Sequence, residues 1–277
     1  MIPASDPALS GPIGVFDSGI GGLTVVAALR ELLPHEDIFY LGDTARVPYG
    51  GKGRDTIEQY TLEIADLLLE EGAKAIVVAC NTATALAIPK LQETVRIPSL
   101  GVIAPGAAAA AATTRNGKIG VIGTRATIAS GAYERALRER RNDLEIHALA
   151  CPLLVPLVEE GWLDDPVTDL VVGRYLTPLL TAGIDTLVLG CTHYPFVRAS
   201  IAKFLGPEIA IVDSAQNCAL ATRELLAKRS LAAPASRPGS LQVALTDTSG
   251  AFLEVAEREL RLGIRDVQSR HVATTKA

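Results

Sequence analysis

Nine short apolar runs rich in β-branched residues punctuate the chain, and longer helical patterns fill the intervals between them. The runs are Ile13–Phe16, Asp37–Leu41, Ala75–Ala79, Ser99–Val102, Lys118–Ile122, Glu145–Leu149, Thr186–Gly190, Ala210–Val212 and Gln242–Leu245. Helical periodicity covers Gly22–Leu33, Thr56–Glu71, Thr82–Val95, Thr127–Arg140, Val167–Thr181 and Ala215–Leu226. Such alternation marks strands buried on both faces and joined by crossover helices, which is an α/β fold with parallel sheets. Nine strands exceed what one doubly wound sheet of a 277-residue chain needs, so two sheets are expected.

Composition narrows the function classes. With 48% apolar and 21% charged residues the chain reads as an ordinary globular enzyme, far from disorder. A net charge of −5 argues against nucleic acid as the main partner, since phosphate binding shows as a basic surplus. No apolar stretch reaches the roughly 18 residues of a membrane span. The opening residues Met1-Ile2-Pro3-Ala4-Ser5-Asp6-Pro7 lack the basic and apolar regions of an export leader. A cytoplasmic location follows as the expectation, and there thiols stay reduced. Cys80, Cys151, Cys191 and Cys218 are therefore read as free thiols. No Cys or His cluster has metal-ligand spacing, so no structural zinc site is expected.

Domain boundaries are placed where a strand runs into an alanine-rich helix near Gly101–Gly106, and at Asp213-Ser214 before the next helix. Leu231–Ser240 reads as a mobile surface loop, and the tail after Arg270, which lacks periodicity, as disordered.

Two segments carry the chemistry. Val77-Val78-Ala79-Cys80-Asn81-Thr82 and Leu187-Val188-Leu189-Gly190-Cys191-Thr192-His193 each end a buried strand in a cysteine. The carboxyl end of a parallel strand is where α/β proteins hold their ligands. A helix starting just after Cys80 would aim free amides at a carboxylate and favour a thiolate. Equally, Asn81 or Thr82 reads as a plain helix cap and Cys80 as a small buried residue. Pro195 fits the first turn of a helix, which leaves His193 in the loop beside Cys191 as proton partner or electrostatic support. Asp17-Ser18 ends the first strand, and Gly19, Gly21 and Gly22 let the backbone turn closely around a ligand. Asp17 reads either as a group that orients a neighbouring thiol or as a cap of the next helix. Thr24 stands where a dinucleotide fingerprint would have its last glycine.

The loop Asp43–Gly53 is rich in turn formers and exposes amides suited to an anionic side chain, though it also reads as a plain surface loop. Gly123-Thr124-Arg125-Ala126-Thr127 is a similar strand-end turn with Thr124 a candidate hydroxyl ligand, and its first three residues echo Asp17-Ser18-Gly19, a hint of internal duplication. Glu159 and Glu160 stand side by side; Cys151 and Cys218 read as structural.

Two thiols flanking one carbon can invert it, one removing the α-hydrogen while the other protonates the opposite face. A Cα–H is far less acidic than a thiol of pKa about 8.5, so the site must stabilise carbanion character with amides and hydroxyls. Ser18, Asn81, Thr82 and Thr192 are residues of that type. A pyridoxal lysine would be the alternative route, and Lys52 in its glycine loop is the one lysine to follow.

DSGIGGLTV, YLGDTARVPYGGKG, VVACNTATA, GVIAPG, GVIGTRAT, CPLLVPLVEEG and LVLGCTHYP, in that order, resemble the bacterial glutamate racemases of the two-cysteine aspartate/glutamate racemase family. The resemblance implies two pseudo-symmetric α/β domains with the active site in the cleft between them. Residues 1–103 with 214–277 would form one domain and 104–213 the other. It further implies a cofactor-independent enzyme, a homodimer, that interconverts L- and D-glutamate for peptidoglycan. Cys80 would be the base for D-glutamate, assisted by Asp17. Cys191 would be the base for L-glutamate, assisted by His193 and Glu159. Asp17, Ser18, Asn81, Thr82, Thr124, Cys191, Thr192 and His193 would hold the amino-acid head, and Pro48, Tyr49 and Gly50 the side-chain carboxylate. The runner-up is a related aspartate or hydantoin racemase; a two-lobed amino-acid binding protein is a third possibility, disfavoured by the paired thiols.

Overall fold

The structure, a computed structural model, describes residues 11–247, 251–264 and 266–272. Ten strands occur among these residues: β1 (Ile13–Asp17), β2 (Ile38–Gly42), β3 (Ala75–Val78), β4 (Ser99–Gly101), β5 (Lys118–Gly123), β6 (Glu145–Ala150), β7 (Thr186–Gly190), β8 (Ala210–Asp213), β9 (Leu241–Leu245) and β10 (Val267–Ser269). The helices are α1 (Leu23–Leu32), α2 (Arg54–Glu70), α3 (Asn81–Thr94), α4 (Ile103–Thr113), α5 (Arg125–Ala129), α6 (Ala132–Arg138), α7 (Leu154–Glu159), α8 (Pro166–Thr181), α9 (Arg198–Leu205), α10 (Ser214–Lys228) and α11 (Ala251–Leu260).

The strands form two sheets, ordered β10-β9-β2-β1-β3-β4 and β6-β5-β7-β8, and every pairing is parallel. The cores of the two sheets repeat one topology: β2-β1-β3-β4 in the first corresponds to β6-β5-β7-β8 in the second. Strands β1, β2, β3 and β7 are buried along their whole length, which explains why they read as unbroken apolar runs. The chain passes from the first sheet to the second through α4 and returns through α10, and α4 packs on α10, α6 and β7. One apolar cluster runs without a break from Val15, Leu23 and Val26 to Leu187, Tyr194 and Ile201, so the two halves share core.

Four expectations need correction. The helix expected over Thr127–Arg140 is two helices, because Gly131 takes a left-handed conformation (φ 64°) that breaks α5 from α6. A tenth strand, β10, pairs with β9 at the sheet edge; three residues are too short to show a period. The short helices α7 and α11 lie outside the helical stretches that the sequence marked, while the helix expected to open at Pro195 begins as a 3₁₀ turn, Tyr194–Val197, and continues as α9. The loop Leu231–Ser240 is exposed yet tethered: Ala233 N donates to Glu36 Oε1 at 2.7 Å, Gly239 N to Pro34 O at 2.8 Å, and Arg237 pairs with Asp37. The tail expected to be disordered lies, from residue 273 on, outside the described residues. No helix among the described residues is long and apolar enough to cross a membrane.

Candidate active site

In the first sheet the chain leaves β1 towards β2 on one side and β3 on the other; in the second it leaves β5 towards β6 and β7 in the same way. A crevice opens at the carboxyl ends of such a pair, because the connecting helices diverge to opposite faces. Those ends deliver Asp17 and Cys80 from one sheet, and Thr124 and Cys191 from the other. A cavity of about 440 Å³ lies there, within the usual range for small-molecule sites. Ser18, Pro48, Tyr49, Gly50, Cys80, Asn81, Thr82, Thr124, Glu159, Cys191, Thr192 and His193 all line it. Lys52 does not, while Val47, Gly51, Arg125, Pro152, Val155 and Pro156, which lie in marked segments but were not named as site residues, join the lining.

Asp17 is fully buried and lies behind this wall instead of in it. Its Oδ2 accepts from Gly19 N at 3.2 Å and Gly22 N at 3.0 Å, and Thr192 Oγ1 stands 3.4 Å from Oδ1. It thus ties down the turn before α1 and touches the opposite half through Thr192. Burial pushes the Asp17 carboxyl up, opposed by His193 and the backbone amides. The glycines after it turn the backbone around protein groups: a Cβ on Gly22 would stand 2.4 Å from Asp17 Cβ, and one on Gly21 would stand 2.7 Å from His193 Nδ1.

Cys80 is itself the cap of α3, its Sγ accepting from Ala83 N at 3.4 Å. The reading of Asn81 or Thr82 as the helix cap is thereby corrected: the cap stands one residue before Asn81 and two before Thr82. The thiol is pushed up to about 12, by burial first and then by the Asp17 carboxylate, although the Ala83 amide and Ser18 pull the other way. Cys191 has different company. His193 Nδ1 lies 3.8 Å from Cys191 Sγ, and His193 Nε2 lies 3.1 Å from Glu159 Oε1. Burial alone would lower the imidazole, but the contacts with Cys191 and Glu159 outweigh it and lift His193 to about 10. Glu160, the neighbour that the sequence could not separate from Glu159, lies in an outer apolar groove beside Trp162 and Val171. Cys151 and Cys218 are buried away from the cavity, and burial pushes each thiol up to about 12.

Three hydroxyls close the seam between the halves. Thr82 Oγ1 lies 3.0 Å from Thr124 Oγ1 and 3.2 Å from Thr127 Oγ1, and the latter two are 2.9 Å apart. Thr127 belongs to the strand-end turn that the sequence marked, but only Thr124 was singled out there as a hydroxyl ligand. Gly50 leans on the same seam, where a Cβ would meet Thr124 Cβ at 2.8 Å.

Tyr49 lines the cavity with its hydroxyl engaged elsewhere. Its hydroxyl donates to Asp43 Oδ2, and burial together with the Asp43 carboxylate holds the phenol far above its usual range. Arg46 bridges Asp43 (2.7 Å) to Glu63 (2.5 Å) and lies over the Tyr60 ring at 4.1 Å. What this anchored segment presents at the cavity is the 3₁₀ turn Tyr49–Gly51, whose first amides have no acceptor within a helix. Asn81 is 2% exposed; its Oδ1 accepts from the Tyr133 hydroxyl at 2.7 Å, while Nδ2 has no partner among the described residues. A buried unpaired donor costs about 1–3 kcal/mol, and one standing in a cavity wall implies an acceptor that arrives with a ligand.

A family model described as Asp/Glu/Hydantoin racemase matches residues 23–222. The chain is 48% identical over 255 residues to a glutamate racemase of Geobacter metallireducens, covering 92% of this chain and 94% of that protein. Among solved structures it resembles a glutamate racemase isoform from Bacillus anthracis, with TM-score 0.90, 40% identity, and coverage of 95% of this chain and 98% of that one. It is also similar to the Francisella tularensis glutamate racemase solved with D-glutamate, at TM-score 0.89 and 35% identity, covering 96% of this chain and 100% of that one.

Proposed function

The chain belongs to the Asp/Glu/Hydantoin racemase family, and on that premise we propose that it interconverts L- and D-glutamate by proton transfer between two thiols. The observation that carries the reading is Cys80 and Cys191, delivered from the ends of two different sheets into one cavity. With L-glutamate bound, the Cys191 thiolate takes the α-hydrogen and becomes a thiol. The electron pair left on Cα spreads into the α-carboxylate. The Cys80 S–H then protonates the opposite face and is left as a thiolate; D-glutamate runs the same steps in reverse.

The surroundings fit these roles. A thiol held up at about 12 keeps its proton at neutral pH, as a donor must. The His193 imidazole stands beside Cys191 as its proton partner, and Glu159 holds the imidazole in place. Asp17 acts on Cys80 from behind. Ser18, Asn81, Thr82, Thr124 and Thr192 surround the amino-acid head and meet the charge that develops on the α-carboxylate. The backbone amides of Tyr49, Gly50 and Gly51 receive the side-chain carboxylate, and Pro48, which has no N–H, shapes the turn that presents them. Val47, Pro152, Val155 and Pro156 keep the cavity poor in water. This chemistry uses only the chain's own residues and the substrate, with no cofactor. In the same reading, residues 1–103 with 214–277 and residues 104–213 move as two lobes. The protein acts as a homodimer in the cytoplasm, where D-glutamate is drawn into peptidoglycan.

The test is incubation with L-glutamate in D₂O without pyridoxal phosphate, followed by circular dichroism and proton NMR of the α-position. Racemisation with deuterium entering Cα is expected, and Cys80→Ala and Cys191→Ala should each abolish it. Either variant racemising normally, or wild-type exchange without racemisation, sinks the two-thiol reading. L-Aspartate, run in parallel, should turn over far more slowly; equal turnover favours the aspartate or hydantoin alternative.

A further inference from the structure

Tyr133 stands where the two thiol corners meet under the cavity. It comes from α6 in the second half and is 1% exposed. Its ring lies against the residue before Cys191: a Cβ on Gly190 would stand 3.0 Å from Tyr133 Cε2. Its hydroxyl reaches across to the residue after Cys80 and donates to Asn81 Oδ1 at 2.7 Å. The Ser214 hydroxyl, at the start of α10 where the chain returns to the first half, bears on the same phenol oxygen. Ser214's other neighbour, the Leu189 carbonyl, lies at 3.5 Å, the long limit of a hydrogen bond.

A carboxamide has one accepting and one donating end, and here only one end has a protein partner. Which end is left over decides what the site can bind. If Ser214 donates to the phenol oxygen, the phenol's own proton is free for Asn81, and the carboxamide must turn its oxygen towards Tyr133. The amide nitrogen is then the group left without a partner. That end suits a carboxylate and not an ammonium group. The carboxylate gains negative charge as the α-hydrogen leaves, so the bond strengthens in the transition state.

We propose that Tyr133 is a positioning residue for the racemisation, its hydroxyl turning the Asn81 carboxamide so that the amide nitrogen is kept for the substrate's α-carboxylate. The inference rests on the two-thiol reading above and adds to it a residue that touches neither substrate nor thiol. The Tyr133 hydroxyl also spans the halves, so the carboxamide is set only when they are together.

The experiment is Tyr133→Phe, which removes one oxygen and keeps the ring, with kcat and KM measured for both enantiomers. A kcat roughly tenfold lower with KM within about twofold is expected, because a contact strengthened only in the transition state moves kcat and kcat/KM together. In an Asn81→Ala background the same change should alter kcat by less than about twofold, since its object is gone. A tenfold loss that persists in that background, or unchanged kcat in the native background, overturns the proposal. If Tyr133→Phe does not fold, Asn81→Asp decides: it keeps acceptors for the Tyr133 hydroxyl and removes the donor. A loss of racemisation with an unchanged melting temperature supports the proposal, and wild-type racemisation overturns it. A wild-type protein inactive on glutamate removes the two-thiol reading and this inference together, whereas an active one with an innocent Tyr133 removes this inference alone.

Discussion

The two cysteine corners share one backbone plan and differ in their electrostatics. Each thiol follows a buried parallel strand beside the switch point of its sheet. Cys80 caps a fourteen-residue helix and has a buried carboxyl group behind it, which together with burial keeps its proton on. Cys191 precedes a 3₁₀ turn that leads into α9, and has an imidazole beside it, lifted to about 10 and tied to Glu159. A repeated scaffold thus carries two thiols with unlike neighbours, one backed by a carboxyl group and the other by an imidazole. The distinction lies in the neighbours, and the neighbours can be exchanged one at a time.

Breaking the comparison outright should have the largest effect. Cys80→Ser and Cys191→Ser keep the shape of each corner but raise the acidity barrier, and racemisation should fall roughly 10²–10⁴-fold in each. Because the enantiomers are equally stable, kcat/KM stays equal in the two directions for any variant, so specialisation is read from Cα–H exchange in D₂O. Cys191→Ser should lose exchange mainly with L-glutamate and Cys80→Ser mainly with D-glutamate. Equal loss with both enantiomers in either variant would show that the corners are not specialised. Next comes His193→Gln, expected to cost about 10²-fold in kcat/KM. It also has a stability signature. His193 is raised in the folded protein from 6.5 to about 10, so its contribution is fully present below about pH 6.5 and lost as pH rises through 10. The melting-temperature gap between wild type and variant should therefore be widest near pH 6 and close by pH 10.

Asp17→Asn should act in the opposite sense on stability. Burial raises this carboxyl in the folded state, so ionising it costs stability as pH climbs above the unfolded value of 3.8. The neutral amide escapes that cost and can still accept from Gly19 and Gly22. Melting temperatures should coincide near pH 4 and favour the variant at pH 8, while turnover falls roughly tenfold. Glu159→Gln should give the smallest loss, roughly severalfold, since its side chain is 43% exposed and its pairing with His193 is screened by water. Glu160→Gln, in the outer groove, should leave turnover unchanged and serves as the control.

Much of this was legible because strand-end chemistry is local. Apolar runs of four or five residues announced β1, β3, β5 and β7, and the residues just beyond them are the ones that meet in the cavity. Contacts between distant segments left no such trace. Tyr133 meets Asn81 from 52 positions away, and the Thr82–Thr127 contact spans 45. Tyr49 was readable as part of an anion-binding loop, but not the Asp43–Arg46–Glu63 network that turns its hydroxyl aside. The break at Gly131 was missed because helical periodicity continues on both sides of it. Glu159 and Glu160 could not be told apart by type; only the direction of α7 separates them.

The absence of a side chain at Gly21 has a consequence for how such a protein can change. The imidazole of one half rests in a hollow moulded by the other half's backbone, with no room for a single added carbon. The halves are therefore not exchangeable parts, for all their common topology. A hybrid that took residues 104–213 from a distant relative would inherit a histidine loop cut to a foreign mould. Its success would turn on a match at positions 21, 192 and 193 that neither parental half specifies alone.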